Sequence, residues 1–531
     1  MAGSLFLLKA RGAFYTSRTA AEYMVRWAVR SSGDAVLEPC FGDGAFLEPL
    51  AAALEPDRIY GVEIDGSAYR RVLDRKLLRA DHAHLGDFLQ AEPGRSPFPR
   101  AITAVVGNPP YVRLRRLPKQ AAAQALRVAG EVMGEPMNPS GSLWMPFVLQ
   151  ACRFLAPGGR LAFVLPYELT YVQYARPFWR YLKDHFGQLR CVRVRDRLFP
   201  DLSQDVVLLL ADGFGGATET VTYETYEDLD ALLAGRPARA TDIVVDDVVA
   251  GGRPFVKALL APDLTALLAS PRLAGRLAPL GRMSRFGIGY VAGDKRFFHL
   301  TAWEARDRGI PADHLRPAVT SGRALKGVGI FTRSIPEERR RWLYDPPTDR
   351  ASLTPADLRY LAEGEAAGVA LRYKCRMREP WYKVPGLVQP DLLLTVFSES
   401  PIMVVNDGGF LASNSLLCGR VAPGVDPSLV AASWYNSLTL LSCETEIHSL
   451  GGGVLILIPG EANKVVIPRL AQAPAGHLAA LDRLLHRDRG LEDAFLLGDE
   501  VILEGELKLS RQEVDLIRQG VATLRRWRKA I

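Results

Sequence analysis

Ile102-Thr103-Ala104-Val105-Val106-Gly107-Asn108-Pro109-Pro110-Tyr111 is a β-rich apolar run that ends abruptly in two prolines. The run has the length and composition of a buried strand. Proline has no amide donor and cannot continue a ladder, so Asn108 to Tyr111 must form the loop that leaves it. Working outward, similar runs occupy 35–38, 58–63, 160–165, 189–194 and 206–210. Amphipathic stretches at 46–54, 67–78 and 143–155 lie between them, the last expected to close on Pro157-Gly158-Gly159 as a helix stop. This alternation is the pattern of βαβ units, which predicts an α/β fold with a mostly parallel sheet covered by helices. In such sheets ligands bind at the carboxyl ends of the strands, where Asn108 stands.

The chain has 531 residues, 48% of them apolar, which is more than one typical domain requires and excludes a disordered or fibrous protein. A net charge of +7 favours a polyanionic partner without naming one. The six cysteines, at 40, 152, 191, 375, 418 and 443, form no C-x-x-C pair, so neither a zinc site nor a disulfide framework is expected and no metal is assigned. The apolar start is too short for a signal peptide, and no later stretch reaches the roughly 18 apolar residues of a membrane helix. A cytoplasmic protein, away from membranes, is the expectation.

Residues 1–212 carry the α/β pattern. The segment 213–256, rich in Gly, Thr and acidic residues, reads as a connector. Residues 257–531 read as a second domain of short strands, Gly and Pro turns and basic-aromatic clusters, ending in a basic amphipathic helix around 512–529.

Leu37-Glu38-Pro39-Cys40-Phe41-Gly42-Asp43-Gly44-Ala45-Phe46 follows the first strand, and Gly42 and Gly44 allow the backbone to approach a ligand closely. Phe46 stands near the point where the full G-x-G-x-x-G dinucleotide fingerprint has its third glycine. About twenty residues on, Glu63 ends the next strand ahead of Ile64, placed to accept hydrogen bonds from ribose hydroxyls. Asp87-Phe88 offers a carboxylate for an adenine amino group and an apolar wall for its ring.

The loop Asn108-Pro109-Pro110-Tyr111 suits chemistry on an aromatic amine, whose lone pair is delocalised into the ring. The Asn108 side-chain oxygen and the Pro109 carbonyl can each accept one amino hydrogen, favouring a pyramidal nitrogen whose lone pair is aimed at a sulfonium methyl. Two prolines preset the loop. Tyr111 can stack on a base flipped out of a duplex.

At this point the chain resembles a family, the gamma-type N6-adenine DNA methyltransferases of type II restriction–modification systems. The resemblance implies a Rossmann-like sheet that binds S-adenosyl-L-methionine, followed by a mixed α/β target-recognition domain with a helical C-terminus. Phe14-Tyr15-Thr16-Ser17, ahead of Tyr23, Met24 and Trp27, resembles the motif that covers the methionine of the cofactor, with Tyr15 and Thr16 as contacts. Glu38, Pro39, Gly42, Gly44, Phe46, Glu63, Ile64, Asp87 and Phe88 are the further cofactor residues it implies, with Phe147 of Leu143-Trp144-Met145-Pro146-Phe147 near the adenine ring. Leu198-Phe199-Pro200 is similar to the segment whose aromatic faces Tyr111 across the flipped base, which makes Phe199 the second stacking residue. Double-stranded DNA is the implied substrate, and a separately encoded restriction endonuclease or defence-system protein the implied partner.

The segment from Phe286 to Phe298 resembles the start of a target-recognition domain, and Arg378-Glu379-Pro380-Trp381-Tyr382, Asn436-Ser437 and Gly451-Gly452-Gly453 recur in the order found there. Lys295, Arg296, Arg372, Lys374, Trp381 and Tyr382 are the candidate DNA contacts of this half; Arg113, Arg115, Arg116 and Lys119 suit phosphate contacts beside the catalytic loop. Asp499, Glu506 and Lys508 have the spacing of a D…E-x-K nuclease site, but only a helix follows them, and the reading is rejected. Asn-Pro-Pro-Tyr also occurs in RNA and protein-glutamine methyltransferases, and an inactive recognition subunit is a further alternative. The recognised DNA sequence is not readable from these residues.

Overall fold

Val36, Leu37, Val105 and Val106 are fully buried, as strands covered on both faces must be, and Leu37 lies directly opposite Val105 in the interior of a nine-stranded sheet. The structure, a computed structural model, describes residues 17–195, 205–450 and 453–529. It divides into two compact units, Met1–Leu259 with Lys529–Ile531, and Leu260–Arg528.

The sheet of the first unit is built from β1 (Val36–Glu38), β2 (Ile59–Glu63), β3 (Ala83–Leu85), β4 (Ile102–Gly107), β5 (Leu155–Pro166), β6 (Phe186–Val194), β7 (Val206–Phe214), β8 (Thr220–Tyr226) and β9 (Arg239–Val244). Their order is β3-β2-β1-β4-β5-β7-β6-β8-β9. β1 to β5 are parallel, and β7 runs antiparallel between β5 and β6. The chain lays down β1, β2 and β3 to one side and then returns to place β4 on the other side of β1. That reversal opens a crevice at the carboxyl ends of β1 and β4.

Helices α1 (Arg18–Ala28), α2 (Leu47–Ala53), α3 (Gly66–Asp74), α4 (Lys119–Met133), α5 (Trp144–Cys152) and α6 (Arg176–His185) accompany the sheet. Ser17 starts α1, its hydroxyl accepting from the Ala20 amide, and the helix buries Ala20, Tyr23, Met24 and Ala28 in the core shared with β1 and β4. Asp65 caps α3 in the same way through Ser67.

Three expectations need correction here. The α5 helix stops at Cys152, and Pro157-Gly158-Gly159 lies inside β5 rather than ending the helix. The Ile102 amide donates to the Phe154 carbonyl, so pairing with β4 begins early; the register then slips, Leu155 facing Ile102 but Arg160 facing Ala104, with Gly158 at a φ of +77°. The short strand β3 was not among the expected runs, because it has three residues, two of them half-buried and Leu85 exposed, and so shows no apolar run. The segment 213–256 is not a bare connector. It supplies β8 and β9, which extend the sheet beyond β6. The alternating burial of β9 leaves one face polar, so its composition resembles that of a loop.

The second unit contains two four-stranded sheets. One joins Ser284–Ile288, Leu416–Val421, Leu392–Thr395 and Met403–Val405; the other joins His299–Leu300, Arg341–Tyr344, Leu315–Val319 and Leu411–Ala412. Gly289 lets the two come together, since a Cβ there would meet the Ala412 and Ser413 carbonyl oxygens at 2.2 and 2.4 Å. The unit ends in helices His477–Leu485, Gly490–Gly498 and Arg511–Lys529, in line with the expected basic terminal helix.

Candidate active site

Two loops flank the crevice. The first leaves β1 at Glu38 and turns at Gly42 and Gly44, both at positive φ (+54° and +87°), a conformation that favours glycine. Beside Gly42 the position of a Cβ is open, with no atom within 4 Å. Glu63, at the end of β2 and 1% exposed, pins this turn: its carboxylate accepts from the Gly42 amide and the Asp65 amide, each at 2.7 Å. Bonds of this kind to a charged acceptor contribute roughly 1.5–3 kcal/mol each.

Glu38 lies close enough to Glu63 for the two charges to repel. It is 2% exposed, and its Oε2 has no hydrogen-bond partner. Burial first, and the Glu63 charge second, push its carboxyl well above the ordinary 4.5. A buried, unpartnered acid facing an open glycine turn is the kind of group a cationic ligand would satisfy. Ile64, 42% exposed, adds an apolar surface at the rim. The residues therefore fit a nucleoside ligand that carries positive charge.

Asp87 caps the short turn Phe88–Gln90 through the Leu89 amide at 3.0 Å. Phe88 is buried, with its ring centroid 5.5 Å from those of both Phe147 and Phe154. Phe88 and Phe147 thus pack as one aromatic group, and both belong largely to the core. Pro39 is buried, and a Cβ at Gly107 would meet it at 3.1 Å, so Gly107 admits the close approach of the two loops. Phe46 is core, 1% exposed.

The second loop leaves β4 at Gly107. The Cys40 thiol donates to the Asn108 carbonyl at 3.2 Å, tying the two loops together. The Tyr111 hydroxyl contacts Asn108 Oδ1 at 2.8 Å and the Val164 carbonyl of β5 at 2.9 Å. Its ring packs partly against the core, and burial raises the phenol well above its ordinary 10.0. Beyond the tetrapeptide, the Leu143 amide donates to the Val112 carbonyl and the Leu114 amide to the Gly141 carbonyl, which fixes the exit of the loop. Neither Cys40 nor Val164 carried a cue in the sequence, since one donates its thiol to a backbone carbonyl and the other accepts through its own.

Arg113, expected as a phosphate contact, is already engaged by a carboxylate. It pairs with Glu168 at 2.6 Å, which also accepts from the Tyr174 hydroxyl at 2.6 Å, and it lies over the Tyr174 ring. Arg115, Arg116 and Lys119 are exposed, at Leu114–Arg116 and the start of α4. Tyr15, Thr16 and Phe199 lie outside the described residues.

In the second unit, the two basic clusters that are far apart in sequence meet. Arg372 pairs with Asp294 at 2.7 Å, beside exposed Lys295, Arg296 and Lys374. Trp381 and Tyr382 do not join this surface. Trp381 packs on Phe297 at 5.4 Å and donates to Glu365, while Tyr382 is 5% exposed with its hydroxyl on the Thr348 carbonyl. They are structural. Asp499 is fully buried; it accepts from the Ser437 amide and hydroxyl at 2.6 and 2.7 Å and pairs with Arg518 at 2.7 Å. Among the described residues no cluster of three potential metal ligands occurs, and Asp499 is committed to fixing the helix that Ser437 begins.

Comparison with known proteins bears on both units. Residues 100–195 match the model of the Eco57I restriction-modification methylase, and residues 252–503 match that of the C-terminal domain of the type II methyltransferase M.Eco57I. The chain belongs to the type II restriction–modification methyltransferases. This methyltransferase is 26% identical over 487 residues to M.XamI of Xanthomonas campestris pv. amaranthicola, covering 86% of this chain and 85% of that one. It is 25% identical over 529 residues to M.PaeR7I of Pseudomonas aeruginosa, covering 88% and 87%. Over 151 residues it is 33% identical to M.TthHB8I of Thermus thermophilus, covering 27% of this chain and 32% of that one. Its fold is similar to that of the type IIL restriction-modification enzyme MmeI, with a TM-score of 0.55 at 12% identity, over 99% of this chain and 77% of the other. No helix among its described residues is long and apolar enough to cross a membrane.

Proposed function

We propose that the chain transfers the methyl group of S-adenosyl-L-methionine to the N6 amino group of an adenine flipped out of double-stranded DNA, as the modification enzyme of a restriction–modification system with a separately encoded endonuclease. The observation that carries this reading is the meeting, across the switch point of one sheet, of the Asn108 loop and the glycine turn held by Glu63, tied together by Cys40. The cofactor supplies an electrophilic methyl group on a sulfonium. Gly42 and Gly44 would let the backbone approach it, Glu63 would accept from its ribose, Glu38 would offset its positive charge, and Ile64, Phe88 and Phe147 would hold its adenine.

On the substrate side, Asn108 Oδ1 and the Pro109 carbonyl each accept one amino hydrogen. This draws the nitrogen lone pair out of ring conjugation and stabilises the positive charge that develops on nitrogen as the new bond forms. One of those hydrogens then leaves to water. Residues 1–259 form the catalytic domain in this reading, and residues 260–528 the target-recognition domain, with Arg115, Arg116 and Lys119 on phosphates.

The test is expression in a host without adenine methylation, followed by sequencing that detects modified bases. The wild type is expected to modify adenine within one motif. Asn108→Ala is expected to modify none while binding cofactor normally. Unmodified adenine with the wild type would overturn the reading and return the RNA and protein-glutamine alternatives.

A further inference from the structure

The turn at 371–377 in the second unit combines features that no fold requirement explains. Leu371, Tyr373 and Met377 are 78%, 63% and 70% exposed, among the most exposed large apolar side chains described. Leaving such groups in water is unfavourable, and a cluster of them marks a surface that something covers.

Beneath the turn the chain is firmly held. Cys375 is fully buried against Gly293, where a Cβ would stand 2.7 Å from the thiol sulfur, and Gly293 has a φ of +98°. The Arg378 guanidinium donates to the Val291 and Ala292 carbonyls at 2.6 and 2.8 Å, and Arg372 pairs with Asp294. The exposed side chains therefore project from an anchored base, which lowers the entropic cost of binding.

Cations surround the tip. Lys374 and Arg376 lie 5.6 and 5.5 Å from the Tyr373 ring centroid, and Lys295 and Arg296 stand exposed beside Asp294, whose charge Arg372 offsets. Glu379 is the exposed carboxylate at the base of the turn. Lysine is depleted from the centres of protein interfaces. A tip of Leu, Tyr and Met ringed by Lys and Arg instead matches a duplex, with phosphates at the rim and base edges or an opened base step at the centre.

We propose that this turn is a recognition prong for double-stranded DNA, with Lys374, Arg376, Lys295 and Arg296 on phosphates, and Leu371, Tyr373 and Met377 entering the groove. The proposal rests on the reading of the chain as a DNA methyltransferase.

The test uses the full chain and two 30-base-pair duplexes, one with the motif that the wild type methylates and one without it, titrated over a salt series. Lys374→Gln with Arg376→Gln should weaken binding to both duplexes alike and lower the salt slope by about two. Leu371→Ala with Met377→Ala should leave that slope unchanged and cut the preference for the motif by about tenfold. All four side chains are exposed, so an unchanged thermal midpoint and unchanged cofactor affinity are expected of both variants. A wild type that methylates adenine, with both variants binding and discriminating as it does, would overturn the prong alone. A wild type that binds anionic vesicles or an acidic polypeptide but not duplex DNA would overturn both the prong and the reading beneath it.

Discussion

The hydroxyl of Tyr111 stands between Asn108 Oδ1 at 2.8 Å and the Val164 carbonyl at 2.9 Å, joining the Asn108–Tyr111 loop to a strand of the same sheet. A phenol has one proton, so the two oxygens compete for it, and in either arrangement the ring is held in place. Tyr111→Phe keeps the ring and removes this tether. The expected result is a fall in kcat of roughly tenfold, the worth of about one hydrogen bond, with cofactor affinity and base extrusion unchanged. Extrusion is read from a fluorescent base analogue at the target. Full activity in the Phe variant would reduce Tyr111 to a stacking surface.

Glu63 serves the chain before it serves any ligand, since it satisfies the Gly42 and Asp65 amides. Removing it leaves two amides without their acceptor, at a cost of roughly 1–3 kcal/mol for each that stays buried. Glu63→Ala should therefore lower the thermal midpoint and weaken cofactor binding at least tenfold, while DNA affinity stays within about twofold. Parallel losses of cofactor and DNA affinity, measured by calorimetry and anisotropy, would show general unfolding instead.

Glu38 gives a pH dependence. Its folded carboxyl titrates well above 4.5, so its contribution to stability is fully present below that value and is lost as pH rises toward the folded value. A cationic ligand reverses the balance, because it favours the ionised acid. Affinity for S-adenosyl-L-methionine should rise as pH climbs above the ordinary carboxylate range toward the raised folded value, and Glu38→Gln should flatten that slope while making the free protein more stable at high pH. A slope that survives in the Gln variant would assign it to another group.

His299 reports on the second unit. Burial lowers it from 6.5 to about 4, and its Nε2 lies 2.8 Å from the Tyr290 hydroxyl. A depressed value means the stabilising contribution is present above pH 6.5 and is lost as pH falls toward 4, by up to about 3 kcal/mol. His299→Gln should blunt the acid-induced drop in the thermal midpoint of this unit. An unchanged pH profile would show that the imidazole is reached by water.

The features legible in the sequence were those whose chemistry is local. Asn108 to Tyr111 follows a strand directly, and Gly42, Gly44 and Glu63 lie at loop and strand-end positions that short-range patterns reveal. Relationships across long separations were not legible: Glu168, which holds Arg113, is 55 residues away from it. Basic-aromatic composition also failed to separate surface from interior. Tyr373 and Lys374 are exposed, whereas Tyr382 is buried under the same kind of sequence. What decides between them is that Tyr382 packs edge-on against Trp381 and joins the cluster around Phe297 and Tyr344, partners that composition does not name.

The strand β8 pairs with β6 along six residues, Leu189 to Val194, and β9 covers β8 in turn. Cutting the chain at 212 would strip that ladder and leave a long unpaired edge, a template for aggregation. The natural seam is the Leu259 to Leu260 junction, where the sheet already carries its own border. Exchange of the second unit between relatives should be made at that seam, so that each donated unit arrives without a torn sheet behind it.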